Sequence, residues 1–387
     1  MNKKLLRRNK FIRVMHVLNT YTSGSWAVEL AENYNSYCRA IIVSLRKAEP
    51  DIRPHGSIIG VHNLKIRSYF GIKYIKELIK LIDEYDVDVI HTHHNFSGAL
   101  IRIIAKFKGV PVVDTEHNIH SSFRFFARLI NGITLPLSDV IVCVSPSVKQ
   151  SFFKWELKLL KKTKIHVITN GVDFTRVNSA RRNREALLKE YDFPENSYVM
   201  LNVGMLIKQK NQMFLLEIIS ELKQQEFDNV RLIILGEGDL RRELESKIKV
   251  LKLEDHVRMP GLVPREKVYE VLKSSNLFVL PSLWEGLPIA LLECLVAGTP
   301  ALVSDIQSHI DIANIIRSSS NDTSFEKTIL CINSACDWVE HIKAKLNEDV
   351  PQCVSPTIVQ TIFSYNRMVQ DYEKLYENCL RRDVKYR

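Results

Sequence analysis

Leu277-Phe-Val-Leu280-Pro-Ser-Leu-Trp-Glu285-Gly-Leu-Pro288-Ile-Ala-Leu-Leu-Glu293 passes from a short apolar strand, through a loop, into a helix. Pro288 suits the first helical position, and Gly298-Thr-Pro300 ends the helix after about three turns. Glu285 therefore lies in the loop before the helix N-terminus. Glu293 lies on the helix flank, roughly 7–8 Å further along at 1.5 Å per residue. Between them are backbone N–H groups at the positive end of a helix dipole, where phosphate binds readily. A ligand with hydroxyls at both ends and a diphosphate between them, such as a nucleotide sugar, matches that spacing. A solvated helix face carrying two glutamates is the competing explanation.

With 387 residues the chain exceeds one comfortable core, which predicts two domains. Hydrophobic residues at 45% and charged residues at 25% are those of a soluble globular protein. Seven cysteines, Cys38, Cys143, Cys294, Cys331, Cys336, Cys353 and Cys379, are scattered with no CxxC pair. That pattern indicates neither a zinc site nor a disulfide framework, and a reducing cytosol fits it. No apolar stretch approaches about 18 residues, so no spanning helix is expected. Met1–Lys10 has a charged start with no apolar core after it, unlike a signal peptide.

The net charge of +10 is unevenly placed. Residues 101–164 hold eleven Lys or Arg, among them Arg124, Arg128, Lys161 and Lys162, against Asp114, Glu116, Asp139 and Glu156. Phe123, Phe125, Phe126, Phe152, Phe153 and Trp155 are interleaved. Such a patch suits an anionic lipid surface. The alternatives are core aromatics ringed by solvated lysines, or a nucleic-acid surface, for which no motif is present.

Short β-branched runs alternate with amphipathic segments, the signal of α/β units with parallel sheets. Strands are expected at 11–17, 40–44, 87–91, 110–116, 140–144 and 165–169, then at 198–204, 230–236, 256–261, 277–280 and 300–304. Helices are expected at 71–83, 96–108, 212–224, 240–251, 266–275 and 288–297. The polar interval 178–190 separates two doubly wound halves. After Ser318-Ser-Ser-Asn-Asp-Thr323 the sequence reads as helical only, ending in 356–382, which could reach back across the junction. The expected division is 1–177, 178–365 and a returning helix, 366–387. In open α/β sheets ligands bind at the carboxyl ends of the strands, so chemistry belongs in the strand-to-helix loops.

Asn202-Val-Gly-Met-Leu-Ile-Lys-Gln-Lys-Asn-Gln212 leaves a strand at Gly204 and enters a helix near Asn211. Lys210 is placed there to neutralise a phosphate; a solvated lysine is the alternative, weakened because a cation is disfavoured at a helix start. Leu235-Gly-Glu-Gly-Asp239 also follows a buried strand; its glycines permit close backbone approach, as an ordinary turn would. In the first half Val89-Ile-His-Thr-His-His94 and Val112-Val-Asp-Thr-Glu-His117 both end buried strands, and a His-rich pair of loops could hold a metal. Asp86-Val-Asp88 has the form of a metal-binding Asp-x-Asp, but its place just before a buried strand argues for a turn.

Taken together, Asn202–Asn211, Leu232–Leu240, His256-Val-Arg-Met-Pro-Gly261, Leu277–Glu293 and Ala297-Gly-Thr-Pro300 resemble the retaining family-four glycosyltransferases of GT-B architecture. The resemblance is strongest to bacterial enzymes of capsule and exopolysaccharide assembly, and Asn170-Gly-Val-Asp173 is similar to that family's signature at the end of its first domain. It implies two Rossmann-like domains facing across a cleft, with a C-terminal helix crossing back. It implies that Glu285 holds donor-sugar hydroxyls with the Gly286–Leu287 backbone beside it, that Glu293 binds the ribose, and that Lys210 meets the leaving diphosphate. Gly24, Gly204 and Glu237 would border the donor, and His117 would approach the transferred sugar. His91 and His93 would lie behind it. One position departs: Met205 stands where the family usually carries arginine, and a thioether cannot donate to phosphate. Lys208, in the same loop, could substitute.

The implied activity is transfer of a hexose from a nucleoside-diphosphate donor, uridine being the likelier base on resemblance, to a lipid-linked or growing glycan, with retention. No cofactor or tightly bound metal is expected, because Lys210 and a helix N-terminus can stabilise the departing diphosphate. The expected partners are donor, acceptor and an anionic membrane surface on the cytoplasmic face, without nucleic acid. A nucleotide-sugar epimerase of the same fold and a catalytically silent sugar-binding subunit are the alternatives.

Overall fold

The computed structural model describes residues 11–21, 25–35, 37–48, 53–66, 71–160, 164–319, 329–332, 334–346 and 356–382. The expectations placed on Met1–Lys10, Gly24, Lys161, Lys162, Cys353 and 320–323 lie outside these residues. The chain forms two compact units, Met1–Thr169 with Asn366–Arg387, and Asn170–Tyr365.

The first unit is built on a seven-stranded parallel sheet in the order β3-β2-β1-β4-β5-β6-β7. Its strands are β1 (Ile12–Tyr21), β2 (Cys38–Ala48), β3 (Ile58–Asn63), β4 (Val89–Thr92), β5 (Val112–Glu116), β6 (Val140–Cys143) and β7 (Ile165–Val167). β4 and β5 are buried along their whole length, as expected of parallel strands covered on both faces. Met15, Val17, Ile41, Val43 and Ile90 point to one face and pack under helices Ile72–Glu84 and Asn95–Lys108. By the two-residue alternation of strands, His16 and His91 point to the other face. The register sets them side by side.

The second unit carries a six-stranded parallel sheet in the order β10-β9-β8-β11-β12-β13. These are β8 (Tyr198–Val203), β9 (Val230–Leu235), β10 (Val257–Gly261), β11 (Leu277–Leu280), β12 (Ala301–Ser304) and β13 (Ile329–Ile332). In each sheet the chain winds outward from the first strand and then returns to its other side. The topological switch points therefore lie between β1 and β4, and between β8 and β11.

Four expectations are corrected. β3 and β13 were not anticipated; both are sheet-edge strands with mixed burial, so neither shows a continuous apolar run. The segment after 323 is thus not helical throughout. Helix Ile289–Ala297 begins one residue later than expected, with Pro288 as its N-cap, and Gly298 closes it at φ 74° as the sequence indicates. Finally, Asn170–Val177 belong to the second unit rather than the first. Val172 N–H donates to Phe363 O at 2.9 Å, and the Asp173 carboxylate caps helix Phe174–Ser179 by accepting from Thr175 N and Arg176 N. The final helix, Tyr365–Arg382, joins the first unit from Asn366 onward.

Candidate active site

Glu285 follows β11 at the switch point of the second sheet and is 6% exposed. Its carboxylate accepts from Lys210 Nζ at 2.5 Å, Ser282 Oγ at 2.7 Å and Gln209 Nε2 at 3.0 Å. Lys210 and Gln209 come from the 3-10 turn Lys208–Lys210 after β8, so the carboxylate ties the two switch-point loops together. Two further bonds fasten them: Leu283 N–H donates to Gln209 O at 2.8 Å, and Gln209 Nε2 to Trp284 O at 2.9 Å. Glu285 is thus no solvated surface glutamate. Lys210 has three N–H donors, and among the described residues Glu285 takes one of them.

Gly286 and Leu287 are buried beside Glu285 and lead into helix Ile289–Ala297, whose N-terminus has no side-chain cap. Glu293 lies within that helix, 6% exposed, and accepts from Arg265 Nη2 at 2.7 Å and Tyr269 OH at 3.0 Å. Burial and then the Glu293 charge push the Tyr269 phenol up. The two glutamates therefore stand at the foot and on the flank of one helix, each anchored by a cation from another segment.

Around this pair, Gly204 directly follows β8 with the Lys210 side chain packed against it; a Cβ there would lie 3.3 Å from Lys210 Cε. Glu237 pairs with Arg241 Nη1 at 2.6 Å. Lys208 is exposed, with no side-chain hydrogen bond or ion pair among the described residues, and Met205 is 61% exposed in the same loop. Gly236 adopts φ 143°, and a Cβ on it would sit 2.0 Å from Gly204 O. Gly236→Ala is expected to destabilise the second unit by about 3 kcal/mol, the upper end for a strained backbone. A denaturant midpoint equal to wild type would show that the loops do not approach so closely.

His309 was not singled out in the sequence. It is fully buried, with Nδ1 2.8 Å from Ser304 O, so Nδ1 carries the hydrogen and donates. Nε2 is then an acceptor, and it is buried without a partner among the described residues. Burial holds this imidazole at about 4; the nearby Glu285 and Lys210 charges act on it in opposite senses.

In the first unit His117 follows β5 and is partly exposed, with the Trp26 ring edge-on at 5.0 Å. Burial, then the neighbouring His94, pushes it down to about 3. His91 and His93 are buried, which fits strand-end packing as well as a supporting role. His16, His91 and His93 each offer a ring nitrogen within 4.8 Å of the others, close enough for a metal. Those nitrogens already have partners. His16 Nδ1 lies 2.9 Å from His93 Nε2 and its Nε2 2.6 Å from Tyr34 OH. His91 Nδ1 lies 2.8 Å from Tyr376 OH and its Nε2 2.7 Å from Thr115 Oγ1. Asp86 and Asp88 are both engaged by Arg13, with Asp86 in a turn at φ 46°, which supports the turn over an Asp-x-Asp metal site. Asp114 and Glu116 are likewise committed, to Arg102 and Asn131.

Residues 26–176 match the "Glycosyltransferase Family 4" description and residues 183–317 match "Glycosyl transferases group 1". The chain is 32% identical over 251 residues to UDP-Gal:alpha-D-GlcNAc-diphosphoundecaprenol alpha-1,3-galactosyltransferase of Escherichia coli; the match covers 62% of this chain and 64% of that protein. It is 24% identical to the capsular polysaccharide biosynthesis glycosyltransferase CapH of Staphylococcus aureus, over 94% of this chain and 98% of that protein. The chain spans about three fifths of the length of the first curated relatives it matches. Among solved structures, Anabaena Alr3699/HepE in complex with UDP and glucose superposes with a TM-score of 0.75 at 13% identity, covering 95% of this chain and 100% of that one. Two parallel α/β units thus carry a glycosyltransferase family 4 domain followed by a glycosyl transferases group 1 domain, in the GT-B fold.

Proposed function

We propose that this glycosyltransferase moves a hexose from a UDP-sugar to a lipid-linked or growing polysaccharide acceptor, with retention of configuration. The observation that carries the proposal is Glu285, buried at the β8/β11 switch point and held by Lys210, Ser282 and Gln209 beside an uncapped helix N-terminus. In this reading Glu285 and the Gly286–Leu287 backbone hold the sugar, and Glu293 with Arg265 holds the ribose. The two remaining Lys210 donors meet the diphosphate, stabilising the charge that develops as it leaves. A relative whose name specifies UDP-Gal, and a structural neighbour solved with UDP and glucose, support a uridine donor. Both matched domains are described as transferases, which does not favour the epimerase alternative.

The direct test is a thermal-shift comparison of UDP, GDP and their sugars, followed by transfer from the best donor. At 100 times its dissociation constant a ligand adds about 2.7 kcal/mol. No shift with any uridine compound, or conversion of donor without acceptor, would overturn the proposal. We place no metal in the step, so EDTA should leave the transfer rate unchanged. Retention is read from the anomeric configuration of the first product.

A membrane-facing role is part of this reading. No helix among the described residues is long and apolar enough to cross a membrane. Helix Phe125–Thr134 instead leaves Phe125, Phe126, Leu129 and Ile133 exposed, with Arg124 at its start and Arg128 stacked 4.3 Å from the Phe153 ring. Phe152 is core. An apolar helix face rimmed by arginines suits a bilayer carrying anionic lipid. Reversing Arg124, Arg128, Lys161 and Lys162 to glutamate should weaken binding to anionic vesicles about 10³-fold, at about 1 kcal/mol per cation. Undiminished co-sedimentation would assign the patch to something other than lipid.

A further inference from the structure

The histidines of the first unit belong to one continuous hydrogen-bonded chain. The Tyr372 hydroxyl lies 3.1 Å from Thr115 Oγ1, which lies 2.7 Å from His91 Nε2. His91 Nδ1 is 2.8 Å from Tyr376 OH, itself 2.9 Å from Tyr34 OH. Tyr34 OH is 2.6 Å from His16 Nε2, His16 Nδ1 is 2.9 Å from His93 Nε2, and His93 Nδ1 is 3.4 Å from His117 Nε2. From Tyr372 to His93 every group is buried, and His117 stands at the partly exposed end.

A neutral imidazole has one N–H and one bare nitrogen, and a hydroxyl has one hydrogen to give. Such a chain can therefore run in one of two directions. Burial keeps these rings neutral, holding His16 at about 3 and His91 and His93 well below the usual imidazole range. The direction is decided at Tyr372. Among the described residues its hydroxyl has one hydrogen-bond partner, Thr115 Oγ1, so a buried Tyr372 can place its hydrogen nowhere else without an orphaned donor. Thr115 must then donate to His91 Nε2, His91 Nδ1–H to Tyr376, Tyr376 to Tyr34, Tyr34 to His16 Nε2, and His16 Nδ1–H to His93 Nε2. His93 Nδ1–H finally donates to His117 Nε2.

We propose that Tyr372 is a positioning residue: it sets the direction of this chain, so that His117 carries its hydrogen on Nδ1 and presents a donor, not an acceptor, to a ligand. Its functional part rests on the role that the family resemblance implies for His117, approach to the transferred sugar; a donor there would bind a sugar oxygen without removing a proton from it.

The experiment is nitrogen-15 NMR of the imidazoles in the full chain at neutral pH. His16, His91, His93 and His117 should all show a pyrrole-type signal at Nδ1 and a pyridine-type signal at Nε2. This is the opposite of the tautomer that free histidine prefers in water. A pyrrole-type Nε2 at His117 or His93 overturns the inference whatever the activity. Tyr372→Phe removes the deciding hydroxyl, and a mixture of tautomers should appear along the chain. In the same variant kcat should fall about five- to tenfold at unchanged donor KM, the worth of one hydrogen bond. Should the tautomers match and shift as stated while kcat does not move, the chain stands and the placement of His117 against the sugar fails. If Tyr372→Phe does not fold, the wild-type spectrum still decides.

Discussion

Lys210→Met and Glu285→Gln are each expected to lower kcat about 10²–10³-fold, the effect of removing one preorganised electrostatic group from a transition state. Each also leaves its partner buried without an opposite charge: the Lys210 side chain is 16% exposed and that of Glu285 6%. Breaking such a pair destabilises a protein, while replacing both members does so much less. The double variant should therefore melt closer to wild type than either single variant and still fail to transfer sugar. That split separates catalysis from scaffolding. Recovery of transfer in the double variant would mean the pair only fastens the two loops, and the reacting site would have to be sought elsewhere.

The second large effect is on pH stability. His16 is held at about 3 by burial, and His91 and His93 are lowered in the same direction by burial and by neighbouring imidazoles. In the unfolded chain these rings take up a proton near the ordinary imidazole value of about 6.5. The stability each contributes while neutral is complete above that value and drains away as pH falls from there toward the folded value. For His16 the loss at pH 5 is about 2 kcal/mol, and His91 and His93 act in the same sense. Two neighbours oppose this. His120, buried but hydrogen-bonded to Glu156 and facing Glu116, is raised, and burial raises Glu116. Unfolding midpoints of the first unit should therefore drop between pH 7 and 5. His16→Asn should take up about one proton fewer on unfolding in that window. An identical pH slope in that variant would show that the ring is not kept neutral.

Much of this was legible in the chain because local signals agreed. β11 and helix Gln212–Gln224 fall on their expected residues, since an apolar run or a helical period was bounded by clear breakers. Glu285 stood out for the same reason, lying between Pro281 and Pro288 on the way from strand to helix. Its anchors were partly visible: Lys210 has a cation's reason to be noticed at a helix start, whereas Gln209 has none. Arg265 and Tyr269 meet Glu293 across a fold that brings separate helices together, and no spacing in the sequence announces it. His309 gave no signal either, since a lone histidine on a helix reads as packing. β3 and β13 lacked a pattern because edge strands bury only part of themselves. The domain boundary fell early because Val172 pairs with the far end of its unit, next to Ser364, a contact made by tertiary structure. Tyr372 and Tyr376 lie in the stretch 356–382 that is expected to be helical, and nothing in the sequence singles them out. Their hydroxyls became meaningful once that helix was seen against His91 and Thr115.

The first unit is discontinuous, and its last helix is made only after the whole of the second unit. While a ribosome translates 170–365, the sheet of the first 169 residues stands with His91 and Thr115 exposed where Tyr372 and Tyr376 will later lie. Its folding therefore cannot finish in the order of its residues. The nascent amino-terminal lobe must wait, partly assembled, through the making of the entire second lobe. A stop codon directly after residue 365 would leave that second lobe whole while stranding the first with an unfinished interior.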